Sequence, residues 1–392
     1  MLSPMLKRLL VATLFAISLH AAAQTVPPRT FVLNAGTLAQ LKAHPDAALL
    51  AAVRADADRA LRQEVHSIIE KKTTPPSGDK HDYMSMGRYF WPNPNTPNHL
   101  PYIRKDGQSN PEIKDITDHE YLSRMGETVR ALGLGYYLTG EAKYAERAAK
   151  VLRVWFLDPA TAMKPNMDYA QAVPGVNTGR GSGILDSRNF AMTIDGVGLL
   201  AGSTAWSAAD NAALQKWFAD YDHWLMTAKE AKHEDNAPNN HGSWFQVQAA
   251  SIARFLGHDD EARAIGVRAR DQRIPAQFDK DGMQKYELTR TNSFSYSAFN
   301  LEALTELASI VGPLGVDLYT PALLKGMDAL LPFDKDHKWT HEQIGADMEG
   351  SVCPALVRIG AHTGDAKYAD AEKRFDCKFS TVQKIEMLRP RS

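Results

Sequence analysis

The chain has 392 residues, 44% hydrophobic and 23% charged, and its 45 Lys and Arg are offset by 46 Asp and Glu for a net charge of −1. This balance excludes nucleic-acid binding driven by overall charge, so a polyanionic ligand has to be held by a local cationic cluster. Two cysteines are too few for a disulfide scaffold or a cysteine zinc site, and there is no HExxH, CxxC or GxGxxG pattern, so no metal or cofactor is expected.

Lys7 and Arg8, the apolar run from Leu9 to Leu19 and the small residues Ala21-Ala22-Ala23 predict a leader peptide over residues 1–23, cleaved before Gln24. The run is short of the ~20 apolar residues that a membrane span requires. The expected product is exported to the periplasm or out of the cell, as one domain over residues 24–392. A helix is expected near 38–71, and the stretch from Asp79 to Glu112 then reads as a long loop carrying Tyr83, Arg88, Tyr89, Trp91 and Tyr102. Connections beyond about 12–15 residues without regular structure are functional or disordered, and aromatic content argues against disorder.

Leu122, Met125, Val129, Leu132 and Tyr136 recur every three or four residues, which predicts one apolar helical face stopped at Thr139-Gly140. Tyr144, Ala148, Val151 and Trp155 resume the spacing, closing a helical hairpin. Its turn, Thr139-Gly140-Glu141-Ala142-Lys143-Tyr144, is echoed at Thr363-Gly364-Asp365-Ala366-Lys367-Tyr368 and more loosely at Gly257-His258-Asp259. A second long loop, Asn166 to Arg188, contains Gln171, Asn177 and Arg180. Further helices are expected near 189–202, 207–229, 242–256, 294–311, 317–331 and 352–361, with no convincing strand pair. Stacked hairpins make the fold class all-α, an (α/α) toroid or incomplete barrel whose mouth the long loops line. Cys353 and Cys377 flank the last hairpin, where a disulfide would suit an exported chain.

Asn239-Asn240-His241-Gly242-Ser243-Trp244 and Arg290 to Tyr296 carry the chemistry. Each has a plain structural reading. An Asn caps a helix, Tyr296 fits an apolar stripe, and the loop aromatics pin a loop. Together they supply an amide, an imidazole, a guanidinium and a phenol, the set needed for β-elimination on a uronic acid polymer. Donors such as Asn240 and Arg290 neutralise the carboxylate beside C5, a base removes the C5 proton, and an acid protonates the departing O4. Tyr296 is the candidate for both proton transfers, since in β-D-mannuronate and β-D-glucuronate that proton and O4 share a face. His241 is the alternative base. A tyrosinate base needs a pKa brought down from about 10. Tyr83, Arg88, Trp91, Gln171, Asn177, Arg180, Arg188 and Trp244 are the expected sugar-binding side chains, aromatic faces for rings and guanidiniums for carboxylates.

The Asn-Asn-His segment and the arginine followed by a helix-opening tyrosine resemble the alginate lyase superfamily of helical toroid polysaccharide lyases. So do the loop segments His81 to Pro92 and Gln171 to Gly181, which look like those of its wider branches. The resemblance runs from about residue 79 to 370 and implies an acidic polysaccharide substrate, with carboxylate neutralisation at Asn240 and Arg290, support or base at His241, and base and acid at Tyr296. The chain departs from the better-known periplasmic members in three places. The Arg290 to Tyr296 interval is one residue shorter, serines flank Tyr296 in place of histidines, and Gly242 replaces a larger residue. An inverting glycoside hydrolase is the rival enzyme, with Asp82, Asp186, Glu287 and Asp347 as available carboxylates, and a non-catalytic polysaccharide-binding protein is the other alternative. Alginate, as polymannuronate, is the expected polymer, with glucuronan the other candidate; the catalytic set itself does not distinguish mannuronate, guluronate and glucuronate, and the oligomeric state stays open.

Overall fold

The computed structural model describes residues 27–334, 336–345 and 350–388. The expected leader, residues 1–23, and Asp347 lie outside them. The helix expected near 38–71 is two, α1 (Ala35–Ala43) and α2 (Ala47–Arg62), followed by a 3-10 turn at Ile68–Glu70. Pro45 disfavours helical backbone at His44, and the Asp46 side chain then accepts the Leu49 N–H at 2.7 Å to start the second helix. The predicted hairpin is α3 (Asp118–Thr139) and α4 (Ala142–Leu152), with Leu122, Met125, Val129 and Leu132 all buried. Gly140 ends α3 in the left-handed region at φ 74°, and Gly257 and Gly364 end their helices the same way at φ 87° and 66°. A side chain at such a position costs roughly 1–2 kcal/mol, which is why the repeated turn carries glycine.

The series continues with α5 (Phe190–Gly198), α6 (Ala208–Thr227), α7 (Lys229–Asp235), α8 (Asn240–Leu256), α9 (Asp259–Arg268), the short α10 (Ile274–Gln277), α11 (Ser293–Val311), α12 (Pro321–Asp328), α13 (Cys353–Thr363), α14 (Ala366–Arg374) and α15 (Thr381–Met387). α3 packs on α5, α5 on α8, α8 on α11 and α11 on α13, and α15 touches both α13 and α2. The last elements thereby return to the first, and the fold is the expected helical toroid. Every residue of α8 from Gly242 to Ala253 is buried, as an inner-ring helix requires.

The expectation of no strand pair is corrected. β1 (Met84–Met86) pairs in parallel with β4 (Tyr169–Ala172), and β2 (Phe90–Trp91) pairs antiparallel with β3 (Ile103–Arg104). Strands of two to four residues are too short to display alternation. Their effect is large, because the first pair ties one long loop to the other. Lys71 Nζ, buried, lies 2.9 Å from buried Asp118, which also accepts the Met84 N–H at 3.0 Å. Asp186 accepts from Tyr83, Ser85 and Gln171 at 2.9, 2.6 and 2.8 Å. Buried acceptors with this many donors hold the loops rigidly over the ring mouth.

Among the described residues no helix is long and apolar enough to cross a membrane. Cys353 and Cys377 are joined in a disulfide spanning 24 residues of sequence. A loop of that size predicts a loss of roughly 3 kcal/mol when the bond is opened. The Cys353→Ser, Cys377→Ser double variant should therefore melt several degrees lower in thermal denaturation, while wild type in strong reductant approaches the same Tm.

Candidate active site

The two loops, the start of α8 and the segment before α11 surround a cleft of about 1200 Å³. His241 reaches it from the first turn of α8. Asn239 caps that helix, its side chain accepting the His241 N–H at 3.3 Å, so the capping reading of the asparagine pair holds for its first member. Gly242 is fixed by crowding: a Cβ there would sit 2.2 Å from the Ala237 carbonyl oxygen and from the Arg273 guanidinium. The place of a larger side chain is taken by Arg273, whose guanidinium donates to the carbonyls of Ala237 and Asp235 at 2.7 and 2.6 Å and clamps the turn leading to His241.

His241 Nδ1 is 2.6 Å from Oε1 of Glu234, a carboxylate only 2% exposed at the end of α7. An ionised carboxylate can only accept, so Nδ1 carries the proton and Nε2 keeps its lone pair in the neutral ring. Nε2 has no protein partner among the described residues.

Tyr296, in the first turn of α11, lies on the same cleft with its hydroxyl 2.6 Å from that of Tyr89, which comes from the first loop. The Arg290 guanidinium carbon is 3.8 Å from the centre of the Tyr296 ring and 6.0 Å from that of Tyr89. Arg290 is itself held by Asp106, with Nη2 and Nε donating at 2.8 and 3.0 Å, and the Thr291 N–H adds 3.1 Å to the same carboxylate. Burial opposes ionisation of Asp106, but these donors outweigh it and hold its carboxyl well below the usual range. Burial is also the largest influence on Tyr296, pushing the phenol well above the usual tyrosine value, with Arg290 opposing and Tyr89 adding to the rise. At neutral pH the free protein therefore presents Tyr296 as a neutral phenol, the reverse of what a tyrosinate base needs.

Of the expected site residues, His241, Arg290, Tyr296, Arg88, Gln171, Arg180 and Arg188 line the cleft together. Five do not. Asn240 is fully buried behind His241, its Nδ2 donating to both oxygens of Glu287 at 3.1 and 2.9 Å and its backbone N–H to one of them at 2.6 Å. Tyr83 is likewise buried on Asp186. Asn177 accepts the Val173 N–H at 3.0 Å within its own loop. Trp91 donates to the Gln108 carbonyl at 2.9 Å, under the Lys105 ammonium. Trp244 is buried against Phe299, with ring centres 4.9 Å apart, and Phe299 in turn carries the Arg188 guanidinium. Trp244 thus supports a cleft residue from behind.

Arg88, Arg180 and Arg188 are in no salt bridge among the described residues. Arg180 donates to the backbone oxygen and Oε1 of Gln171 at 3.1 and 2.8 Å, and Arg188 to the Leu185 carbonyl at 3.3 Å. Arg290, by contrast, spends its charge on Asp106. Sequence reasoning missed Glu234, Asp106 and the pairing of Tyr89 with Tyr296. Only Glu234 left a trace, seven residues before His241 on a short charged helix. The other two depend on a loop meeting residues about 200 positions away.

Among the described residues, the carboxylates available to a hydrolase are each held by protein partners. Asp82 is buried against Lys164, Asp186 accepts three loop hydrogen bonds, and Glu287 is bound by Asn240. An imidazole and a phenol, in contrast, open onto the cleft able to move a proton, and on a helical toroid they make the chain a polysaccharide lyase. It belongs to the alginate lyase family, whose model matches residues 67–340. The structure of an alginate lyase from Bacteroides ovatus is 34% identical over 93% of this chain and 99% of that one, with a TM-score of 0.86. The alginate lyase A1-III of Sphingomonas species A1 shares the fold at 16% identity, over 88% and 94% of the two chains, with a TM-score of 0.52. No curated protein sequence matches.

Proposed function

We propose that the chain depolymerises alginate by β-elimination, with His241 as the base and Tyr296 as the acid. The observation that carries this division is that both side chains open on one cleft, His241 with its Nδ1 engaged by Glu234 and Tyr296 with its hydroxyl against Tyr89. Glu234 takes Nδ1 and so directs Nε2 of the neutral His241 ring to the cleft, while burial keeps Tyr296 protonated. In the reaction His241 Nε2 takes the C5 proton, the C5–H electron pair forms the C4–C5 double bond, and the C4–O4 bond breaks. Tyr296 then delivers its proton to O4. The phenolate left behind lies against the Arg290 guanidinium, which stabilises it as it forms, and exchange with solvent returns both groups to their starting states.

Arg88, Arg180 and Arg188, without salt-bridge partners among the described residues, are available to receive uronate carboxylates, the task that the resemblance assigned to Asn240 and Arg290. Asn240 instead sets the start of α8 by binding Glu287. Base and acid on separate side chains allow the C5 hydrogen and O4 to lie on opposite faces, as in guluronate, while in mannuronate, where they share a face, Tyr296 is near enough to O4 to stand in for the base as well, so both kinds of block are proposed substrates. Export is proposed with it, and the closed disulfide supports an oxidising compartment. The test is incubation with polymannuronate, polyguluronate, glucuronan and a neutral glucan, following the ultraviolet absorbance of a C4–C5 unsaturated end. Absorbance is expected on both alginate polymers and not on the glucan. Its absence on every polyuronate would overturn the reading.

A further inference from the structure

Away from the cleft, Asp222 on α6, His258 in the turn between α8 and α9, and Glu261 in the first turn of α9 bring one ligand atom each within 4.8 Å of one another. His241 sits at the opposite end of α8, so its 17 residues place this cluster roughly 25 Å from the catalytic imidazole. Asp222 is the most enclosed member, and its buried Oδ1 has no hydrogen-bond partner. An orphaned buried carboxylate oxygen is a cost that native structures seldom leave uncompensated.

The neighbouring charges do not compensate it. Asp259 is paired with Arg254 at 3.3 Å and Asp260 with Arg263 at 4.0 Å, while within the trio His258 Nδ1 lies 3.7 Å from Glu261. Burial raises the Asp222 carboxyl to about 6, Glu261 adding to the rise and His258 and His223 opposing it. A cation would reverse that balance.

The three ligands are held by the backbone. Phe218, one turn before Asp222, packs edge-on against Phe255 of α8 with ring centres 5.4 Å apart, which fixes α6 beside the end of α8. Gly257 then turns the chain at φ 87°, and the His258 N–H donates back to the Ala253 carbonyl at 2.8 Å. Glu261 follows with its N–H on the His258 carbonyl at 3.1 Å.

We propose that Asp222, His258 and Glu261 form a structural site for a borderline first-row divalent cation such as zinc, pinning α6 to the turn between α8 and α9. One imidazole nitrogen and two carboxylate oxygens form a three-ligand set that zinc accepts, with water completing the shell. The test uses tag-free full-length protein stripped with a chelator and titrated with zinc alone in a non-coordinating buffer. Calorimetry should give one zinc per chain and a Tm that rises with zinc concentration. Asp222→Asn and His258→Ala should each weaken binding at least tenfold and abolish the rise in Tm, with alginate cleavage unchanged as proof that each variant folds. No saturable binding to wild type, or equal binding by both variants, would overturn the proposal.

Discussion

Tyr296→Phe is expected to lower kcat on alginate by about 10²- to 10⁴-fold, the range for loss of a positioned proton donor, while exchange of the C5 hydrogen with solvent deuterium persists. Phenylalanine keeps the ring beneath Arg290 and removes only the hydroxyl bonded to Tyr89. If His241 is the base it still forms the enediolate, which without an acid at O4 returns to substrate carrying a solvent deuteron. Nuclear magnetic resonance of an alginate oligosaccharide in deuterated buffer reads this directly. Loss of exchange together with cleavage would instead make Tyr296 both base and acid.

The pH dependence follows from the same phenol. Its pKa is raised by burial, so the acid form survives past the ordinary tyrosine value of about 10 and is lost only as pH rises through the raised value. With Tyr296 as acid, kcat in wild type should hold level between about pH 8 and 10. A kcat that climbs steadily across that window would mark a tyrosinate base.

How much of this was legible beforehand depended on the range of the interaction. The glycine stops at 140, 257 and 364 and the apolar face from Leu122 to Leu132 are set by residues within one or two turns, so spacing alone placed the hairpins. α8 and α11 began within two residues of expectation for the same reason. What failed was everything decided by a distant partner. Asn240 looked like a ligand for substrate because nothing local consumes its amide, yet Glu287, 47 residues on, takes it. Arg290 looked free, and Asp106 holds it across 184 residues. The two loops read correctly as ordered and aromatic, but the parallel pairing of residues 84–86 with 169–172 has no local signal. The rule that emerges is about partners: a motif shows which groups are present, while the folded contacts decide which of them still have charge or lone pairs to offer.

Glu234→Gln is the second variant with a large expected effect, and it separates the base from the acid. A glutamine of nearly the same size fits the site, so Tm should change little. With its amide nitrogen toward His241 it would donate to Nδ1, force the proton onto Nε2 and leave no lone pair for C5–H. With its oxygen toward Nδ1 the tautomer survives, but the imidazolium formed in the reaction loses the buried counter-charge now 2.6 Å away. Either arrangement removes base strength, so kcat should fall by about 10²- to 10⁴-fold with KM nearly unchanged. Unlike Tyr296→Phe, this variant should lose C5 exchange in proportion to cleavage, because the step it blocks comes first. A fall in Tm with kcat preserved would reduce Glu234 to a structural anchor of α7 and return the proton abstraction to Tyr296.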